Sequence, residues 1–204
     1  STRRRASRAS SIWPRPLRTA DSLIQKGRIH MLCIGLSPSI DKDCRALILG
    51  SMPGVKSLEE QQYYAHPQNR FWPMMADLLG EALPSRYEEK LAMLLDHHIA
   101  LWDSIGQCER EGSLDSAIRE ERGNDFTALL QAYPAIRAIF FNGGKSSQAF
   151  RRHNKALLQR PDIAFYAMPS TSPANARWRL PMLEETWRKA LTEAGILCYT
   201  ESKK

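Results

Sequence analysis

The chain alternates short, continuous apolar runs with longer segments in which apolar residues recur at helical spacing. The apolar runs predict buried strands over residues 44–50, 99–105, 135–142 and 163–169. The helical spacing predicts helices over residues 69–83, 85–98, 124–134, 143–157 and 179–195. Asn124 or Asp125 is placed to cap the third of these helices, and residues 196–200 form a candidate for a small final strand.

This succession of strands and helices predicts a three-layer α/β/α sandwich with a short, mostly parallel central sheet. The chain has 204 residues, 43% of them hydrophobic, which is enough for one domain with a sizeable core. In such sheets ligands bind at the carboxyl ends of the strands. Four polar or glycine-rich loops leave those ends, and we expect them to converge on one crevice. They cover residues 50–72, 103–112, 142–147 and 169–177.

The net charge of +7 is concentrated near the N-terminus. Residues 1–20 contain six arginines and no acidic residue, which leaves 23 basic against 22 acidic residues in the remainder. Any DNA-facing charge on the domain must therefore be local. We expect residues 1–30 to form a basic, disordered tail and residues 31–204 to form the domain. The tail can be interpreted as a DNA-binding arm, a transit-like segment or sequence upstream of a start at Met31; we favour the last, or a tail without a role.

The cysteine pattern argues against a metal centre. Cys33, Cys44, Cys108 and Cys198 form no C-x-x-C pair, so neither a zinc site, an iron–sulfur cluster nor a secreted disulfide framework is predicted. Thiols in a reducing compartment indicate an intracellular protein, cytoplasmic and close to the nucleoid if the source is bacterial. No apolar run approaches the length of a bilayer-spanning helix, so no membrane association is expected.

The stretch "FFNGGKSS" invites comparison with an ATP-binding phosphate loop. A Walker A loop needs glycine five residues before the Gly-Lys-Ser, and Ile139 occupies that place, so ATP binding is not supported. Lys145 and Ser146 still lie where a helix start could receive a DNA phosphate. The alternative is an ordinary strand-to-helix turn with a surface lysine.

The stretch "MPSTSPANAR" follows an apolar strand and is rich in hydroxyl groups. Its alternative interpretation is a rigid turn that leads into the last helix. As a DNA-binding loop, it would grip the backbone and fill the gap left by an extruded base. Phosphate contacts would then come from Ser170, Thr171, Ser172, Asn175 and Arg177.

Taken together, several stretches resemble the uracil-DNA glycosylase superfamily. "AHPQNRFW" is similar to its mismatch-specific branch. "LGSMPGVKSLEEQQYYAHPQNRFW", "IALWDSI", "REGSLDSAI" and "MPSTSPAN" resemble more closely the hypoxanthine-DNA (deoxyinosine) glycosylase branch, over about residues 44–199. The resemblance implies a uracil-DNA glycosylase-like fold and a monomer that acts on DNA containing a deaminated base. It implies hydrolysis of the glycosidic bond of hypoxanthine without a cofactor.

Two positions depart from other branches of the superfamily. Met52 stands where those branches carry a water-activating Asp or Asn, and Met168 stands where they carry His. Poor activity on uracil is therefore expected. The resemblance implies that Asn69 instead holds the attacking water. An amide is not a base near neutral pH, so its contribution would be one of positioning.

The expected pocket must recognise the O6 acceptor and the N1–H donor that distinguish hypoxanthine from adenine. The backbone of Ser51 and Met52 is a candidate donor to O6 or N7. Asp103 is a candidate acceptor for N1–H, with Asn142 as the alternative reader, and Phe71 is a candidate to stack on the base. The predicted base-binding residues are Gly50, Ser51, Met52, Phe71, Asp103 and Asn142.

Two other functions and one other mechanism are weighed against this expectation. A mismatch-type uracil or thymine glycosylase is disfavoured by Met52. A catalytically silent domain could use the same loops to bind damaged or single-stranded DNA, and only turnover separates it from an enzyme. A lyase would need an amine nucleophile, for which Lys56 and Lys145 lie in suitable loops, but the resemblance implies hydrolysis.

Overall fold

The computed structural model describes residues 22–25 and 28–198. The strands are β1 (Ser22–Gln25), β2 (Arg28–Ile34), β3 (Ala46–Gly50), β4 (Ile99–Asp103), β5 (Ile105–Arg110), β6 (Arg119–Gly123), β7 (Ala138–Asn142) and β8 (Ala164–Met168). The helices are α1 (Val55–Glu60), α2 (Phe71–Leu79), α3 (Tyr87–Asp96), α4 (Phe126–Ala132), α5 (Gly144–His153) and α6 (Leu180–Glu193).

Four strands form an entirely parallel sheet in the order β4-β3-β7-β8. Every residue of β3, β4 and β7 is buried, as expected for strands covered on both faces. Successive side chains of β3 point to opposite faces, so Ala46 and Ile48 enter one core cluster while Leu47 and Leu49 enter another. Two separate hydrophobic cores therefore flank the sheet.

The helices divide between these two faces. Met74 of α2, Leu94 of α3 and Trp187 of α6 pack in the first core. Phe126 of α4 and Phe150 of α5 pack in the second. The predicted α/β/α sandwich with a parallel central sheet is confirmed.

A second, antiparallel sheet was not expected from the sequence. Its order is β1-β2-β5-β6, and Ser104 is the single residue that separates β4 of the parallel sheet from β5 of this one. Ser104 is completely buried, and its backbone N–H donates to the carbonyl of Gly50 at 2.8 Å. The single strand predicted over residues 99–105 is therefore two strands, one in each sheet. Helix α1 is likewise an addition, within the loop predicted over residues 50–72.

The ends of the elements follow local signals. Asp125 caps α4 as one of the two predicted candidates, since its carboxylate accepts a hydrogen bond from the Ala128 N–H at 2.9 Å. The candidate final strand is not formed at Ile196–Cys198, and residues 199–200 lie outside the described range. Most of the predicted basic tail, residues 1–21 with 26 and 27, also lies outside it. Strand β2 begins at Arg28, before the predicted domain boundary at residue 31.

Within residues 22–25 and 28–198, the helices are too short or too polar to cross a bilayer.

Candidate active site

A cavity of about 560 Å³ opens at the carboxyl ends of the parallel strands. The loop after β3, the ends of β4 and β7 and the loop after β8 all contribute to its lining, so the predicted convergence is observed. Of the loop predicted over residues 103–112, only Asp103 lines the cavity. Residues 113–116, which lie between β5 and β6, line it instead. The antiparallel sheet therefore supplies one wall of the cavity.

Asn69 lies in this lining, and its orientation is fixed by a chain of hydrogen bonds. Asn142 Nδ2 donates to Thr171 Oγ1 at 3.0 Å, and that hydroxyl donates to Asn69 Oδ1 at 3.0 Å. Asn69 Oδ1 also accepts from the Phe71 N–H at 3.0 Å. Because two donors occupy the amide oxygen, the Asn69 NH₂ group is the end left to act on a ligand.

The Asp103 carboxyl also lines the cavity, although only 5% of the residue is exposed. Its Oδ2 has no hydrogen-bond partner among the described residues. The pKa of Asp103 is raised to about 7, chiefly by burial and secondarily by the nearby charge of Asp115, while Arg110 opposes the shift. A Cβ atom on Gly50 would lie 2.4 Å from Asp103 Oδ1, so this position has no room for a larger residue.

Tyr63 and Tyr64 line the cavity, whereas Phe71 does not, and Tyr64 is the more exposed of the two tyrosines. Phe71 is completely buried in the first turn of α2 and is absent from the lining. It stacks beneath the Tyr64 ring, with 3.8 Å between ring centroids and 22° between planes. Burial, and secondarily the nearby charge of Asp103, raise the pKa of Tyr64 above its usual value, so its hydroxyl stays neutral. Phe71 was predicted to stack on the base, but it instead packs against the Tyr64 ring and supports it.

Arg70 joins the Asn69 loop to the loop after β8. Its guanidinium donates to the carbonyl groups of Thr171, Ser172, Asn175 and Trp178, and its backbone N–H also donates to the Thr171 carbonyl at 3.2 Å. Because the planar guanidinium offers five N–H donors, one side chain can hold four backbone groups in register. Arg70 thus fixes the position of Thr171 relative to Asn69.

The two residues predicted to receive phosphate at the start of α5 are engaged within the protein. The Ser146 hydroxyl is completely buried and donates to the Leu49 carbonyl at 2.7 Å, so it faces the core and not the surface expected to contact DNA. Lys145 forms an ion pair with Glu121, which also pairs with Arg152 at 3.0 Å. This geometry matches the alternative of a structural strand-to-helix turn.

The loop after β8 combines internal bonds with exposed groups. The Ser170 hydroxyl accepts from the Ser172 N–H at 3.1 Å, and Asn175 Nδ2 donates to the Ser170 carbonyl at 3.0 Å. Thr171 is completely buried, in contrast to the phosphate contact predicted for it. Arg177 is exposed at the end of this loop and forms no ion pair with another described residue. The loop is braced by these internal hydrogen bonds, and it lines the cavity.

Sequence reasoning missed Tyr64, Arg70 and Asp115. Tyr64 precedes the same "AHPQNRFW" stretch that directed attention to Asn69 and Phe71, so an aromatic residue adjoining a polar motif was an available signal. Nothing in the sequence marks Arg70, because its four acceptors are backbone groups about a hundred residues away. Asp115 contacts Ser51 through a 2.6 Å hydrogen bond across two sheets, a contact that spacing cannot predict.

The cavity lacks features of a metal centre. Among residues 22–25 and 28–198, no three His, Cys, Asp or Glu side chains are grouped so that they could hold a metal ion. Met52 is buried in the lining, and its thioether can neither accept a proton from water nor orient one strongly. The lining offers amide, carboxyl, hydroxyl and aromatic groups, together with the imidazole of His66 and the ammonium group of Lys56.

The parallel sheet opens into a pocket lined by tyrosine rings, three asparagine side chains and two carboxyl groups, and a pocket of this kind suits a planar, polar ligand. Residues 37–191 match the sequence model of the Uracil DNA glycosylase superfamily, and the chain belongs to that superfamily.

Similar proteins are known from two archaea. A Hypoxanthine DNA glycosylase from Methanosarcina acetivorans is 38% identical over 149 residues, covering 72% of this chain and 91% of the relative. One from Methanosarcina barkeri is 40% identical over 115 residues, covering 56% of this chain and 73% of the relative. The solution NMR structure of a candidate Uracil DNA glycosylase from Methanosarcina acetivorans superposes with a TM-score of 0.69 at 35% identity, covering 81% of this chain and 99% of that one.

Replacing Arg70 by Lys is expected to loosen the loop after β8, because one ammonium group cannot serve four carbonyl acceptors. We expect the variant to lose about 2 kcal/mol of unfolding free energy and to show faster amide exchange over residues 170–178. Urea unfolding and hydrogen-exchange mass spectrometry measure the two effects. Arg86→Lys is the matched control, since the Arg86 side chain is 70% exposed and reaches only Glu88. Equal stability and exchange in both variants would contradict the role given to Arg70.

Proposed function

We propose that this protein excises hypoxanthine from DNA by hydrolysing the N-glycosidic bond of deoxyinosine, as a monofunctional glycosylase. The observation that carries the proposal is the Asn69 amide, held with its NH₂ group available beside Asp103 in a pocket where Met52 replaces a water-activating side chain. The two Methanosarcina relatives named for this activity support it. We also propose that the enzyme acts as a monomer inside the cell, where DNA containing deaminated bases is its substrate.

The proposed hydrolysis uses Asn69 to place water. Departure of the base generates an oxocarbenium-like sugar, and a water molecule then adds to the sugar carbon from the opposite face. The Asn69 NH₂ group donates to the water oxygen and holds it at that face, which leaves a lone pair on the water for the new bond. Asn69 cannot accept the water proton, because its amide oxygen is already occupied by Phe71 and Thr171. The proton that the water loses passes to solvent, and the departing hypoxanthine anion takes up a proton from solvent, so the overall reaction adds one water molecule across the glycosidic bond.

Without a base at Met52, the departure of the nucleobase must itself be easy. Negative charge that develops on hypoxanthine spreads over its ring and O6. The backbone N–H groups of Ser51 and Met52 donate to no acceptor among the described residues, so they are available to stabilise that charge. This arrangement favours a good leaving group and disfavours a substrate that depends on water activation.

Recognition of the base is proposed to rest on Asp103 and Tyr64. The Asp103 carboxylate accepts the N1–H of hypoxanthine, a hydrogen that adenine lacks. Asn142 is the weaker candidate for this role, because both ends of its amide already bond to Thr171. The Tyr64 ring, supported from below by Phe71, provides the surface on which the extruded base stacks.

The proposed activity is tested with end-labelled duplexes that carry one deoxyinosine or one deoxyuridine opposite each of the four bases. After incubation without metal, alkali reveals abasic sites. Cleavage at deoxyinosine with little at deoxyuridine is expected. Strong cleavage at deoxyuridine would support a mismatch-type uracil or thymine glycosylase instead. Binding without cleavage of either duplex would support a catalytically silent DNA-binding domain.

Replacing Asn69 by Ala is expected to abolish excision while DNA affinity remains, because the water loses the amide donor that positions it. Asn69→Asp separates donation from proton acceptance, since a carboxylate presents an acceptor where the NH₂ group stood. We expect it to be as inactive as Asn69→Ala. Single-turnover rates and duplex Kd values measure both effects, with Gln68→Ala as the matched control in the same exposed loop. Activity of Asn69→Asp above wild type would assign a base role to this position.

The Asp103 assignment predicts a pH dependence. If the carboxylate accepts N1–H, kcat/KM for deoxyinosine should rise with pH through about 7, the raised pKa of Asp103. Asp103→Ala is expected to lower kcat/KM at least about tenfold, the effect of losing one hydrogen bond to a charged group. Asp103→Asn keeps an acceptor oxygen without the titration, so its profile should be flat across pH 7. If kcat/KM of Asp103→Asn still rose with pH as it does in wild type, Asn142 or the backbone would be the group that recognises N1–H.

The same residue predicts the pH dependence of stability. The pKa of Asp103 in the folded protein lies above the usual 3.8. The stability that the neutral carboxyl contributes is therefore fully present below pH 3.8 and is lost as pH rises through about 7. At pH 8 the ionised, buried carboxylate costs up to about 4 kcal/mol. Asp103→Asn should therefore gain stability over wild type from pH 5 to pH 8 in urea unfolding. A constant difference across this range would contradict the raised pKa.

A further inference from the structure

Leu114 is the most exposed large hydrophobic residue among those the structure describes. The residue is 61% exposed, against 50% for Leu83 and 41% for Val55. Leu114 also belongs to the lining of the active-site cavity, so its side chain lies at the mouth and not on a remote surface. Because Leu114 is both exposed and part of the lining, its side chain is accessible to a ligand that enters the cavity.

The segment that carries Leu114 is fastened to the base pocket on both sides. Before it, the Ser113 hydroxyl accepts from the Val55 N–H at 2.9 Å. After it, Asp115 Oδ1 accepts from the Ser51 hydroxyl at 2.6 Å. The Leu114 carbonyl accepts from the Ala117 N–H at 3.1 Å, which closes the turn. Leu114 is therefore held at a fixed place relative to the loop expected to receive the base.

Another part of the lining, the loop after β8, offers no apolar side chain of comparable size. The loop after β8, predicted to fill the gap left by an extruded base, lines the cavity with two serines, one threonine, one asparagine, Pro173 and Ala174. Thr171 is completely buried, and Pro173 and Ala174 are small. This loop can contact the DNA backbone through hydroxyl and amide groups and through the exposed Arg177 at its end, but the side chains with which it lines the cavity are too small to replace a base.

The geometry points to Leu114 as the residue that enters the DNA base stack where the damaged nucleotide leaves it. Extrusion of a nucleotide leaves an apolar gap between the neighbouring base pairs, and an inserted aliphatic side chain offsets part of the unstacking cost. The interaction surface is thus the part of the cavity mouth formed by Leu114 and the loop after β8. Because it concerns a base taken out of DNA, the assignment rests on the proposed function.

The test compares Leu114→Ala with Leu83→Ala, a matched exposed leucine between α2 and α3 that is absent from the cavity lining. Excision of hypoxanthine is measured in a duplex and in the same strand without its complement, where no stack has to be opened. The ratio of duplex to single-strand kcat/KM is expected to fall about tenfold in Leu114→Ala, because burial of a leucine side chain carries at least that factor. Leu83→Ala should keep the wild-type ratio.

A binding measurement decides the assignment without catalysis. Kd is determined for an undamaged duplex and for one in which a tetrahydrofuran residue leaves a ready-made gap in the stack. Wild type should prefer the gapped duplex, and Leu114→Ala should lose that preference about tenfold while Leu83→Ala keeps it. Unchanged ratios in both assays, or equal losses on duplex and single-strand substrates, would overturn the assignment.

The two assays also separate failure of this assignment from failure of the proposed function. Wild-type protein that leaves hypoxanthine in place in both substrates would contradict the proposed function, and the tetrahydrofuran duplex would still decide the role of Leu114. Active wild-type protein with an unaffected Leu114→Ala variant would contradict the assignment alone.

Discussion

The hydroxyl of Thr171 receives a hydrogen bond from Asn142 and passes one to Asn69, and the arrangement of the pocket depends on this relay. The direction of the relay decides that Asn69 presents its NH₂ group, which sets what chemistry the site can perform. The three residues come from the end of β7, the loop after β8 and the loop after β3. Arg70 holds the last two together through backbone carbonyl groups. The relay therefore exists only once the parallel sheet has assembled.

Asp103 is a second constraint, and it opposes stability. A buried carboxyl with an unpartnered oxygen costs free energy that a hydrogen-bonded or apolar side chain would not. The cores on both faces of the sheet offset that cost, as is usual where a protein keeps an unsatisfied group at a functional site. The antiparallel sheet and its connection bring Asp115, which raises the pKa of Asp103, and Arg110, which lowers it. This part of the fold therefore adjusts the pKa of the pocket carboxyl and also forms one wall of the pocket.

Most helices and parallel strands were predictable, because each buries a face whose period is visible locally. Strands β3 and β7 are continuous apolar runs, and α2 carries its apolar residues at helical spacing. The antiparallel sheet was not predictable in this way. Strand β6 reads "REERG" and has no apolar face, so only pairing with β5 makes it a strand. The resemblance to a known superfamily located the site where the periodic pattern could not.

The sequence by itself determined the fold class, the edge of the sheet where the pocket lies, and Asn69, Asp103 and Asn142 as polar residues that reach it. Only the tertiary structure decided which way neighbouring side chains point. Phe71 enters the core because it opens α2, while Tyr64, whose backbone is left-handed with φ of 55°, faces the cavity. Ser146 and Thr171 turn inward to satisfy buried partners. Local periodicity fixes the type of an element, but the direction of a polar side chain is set by partners that are distant in the chain.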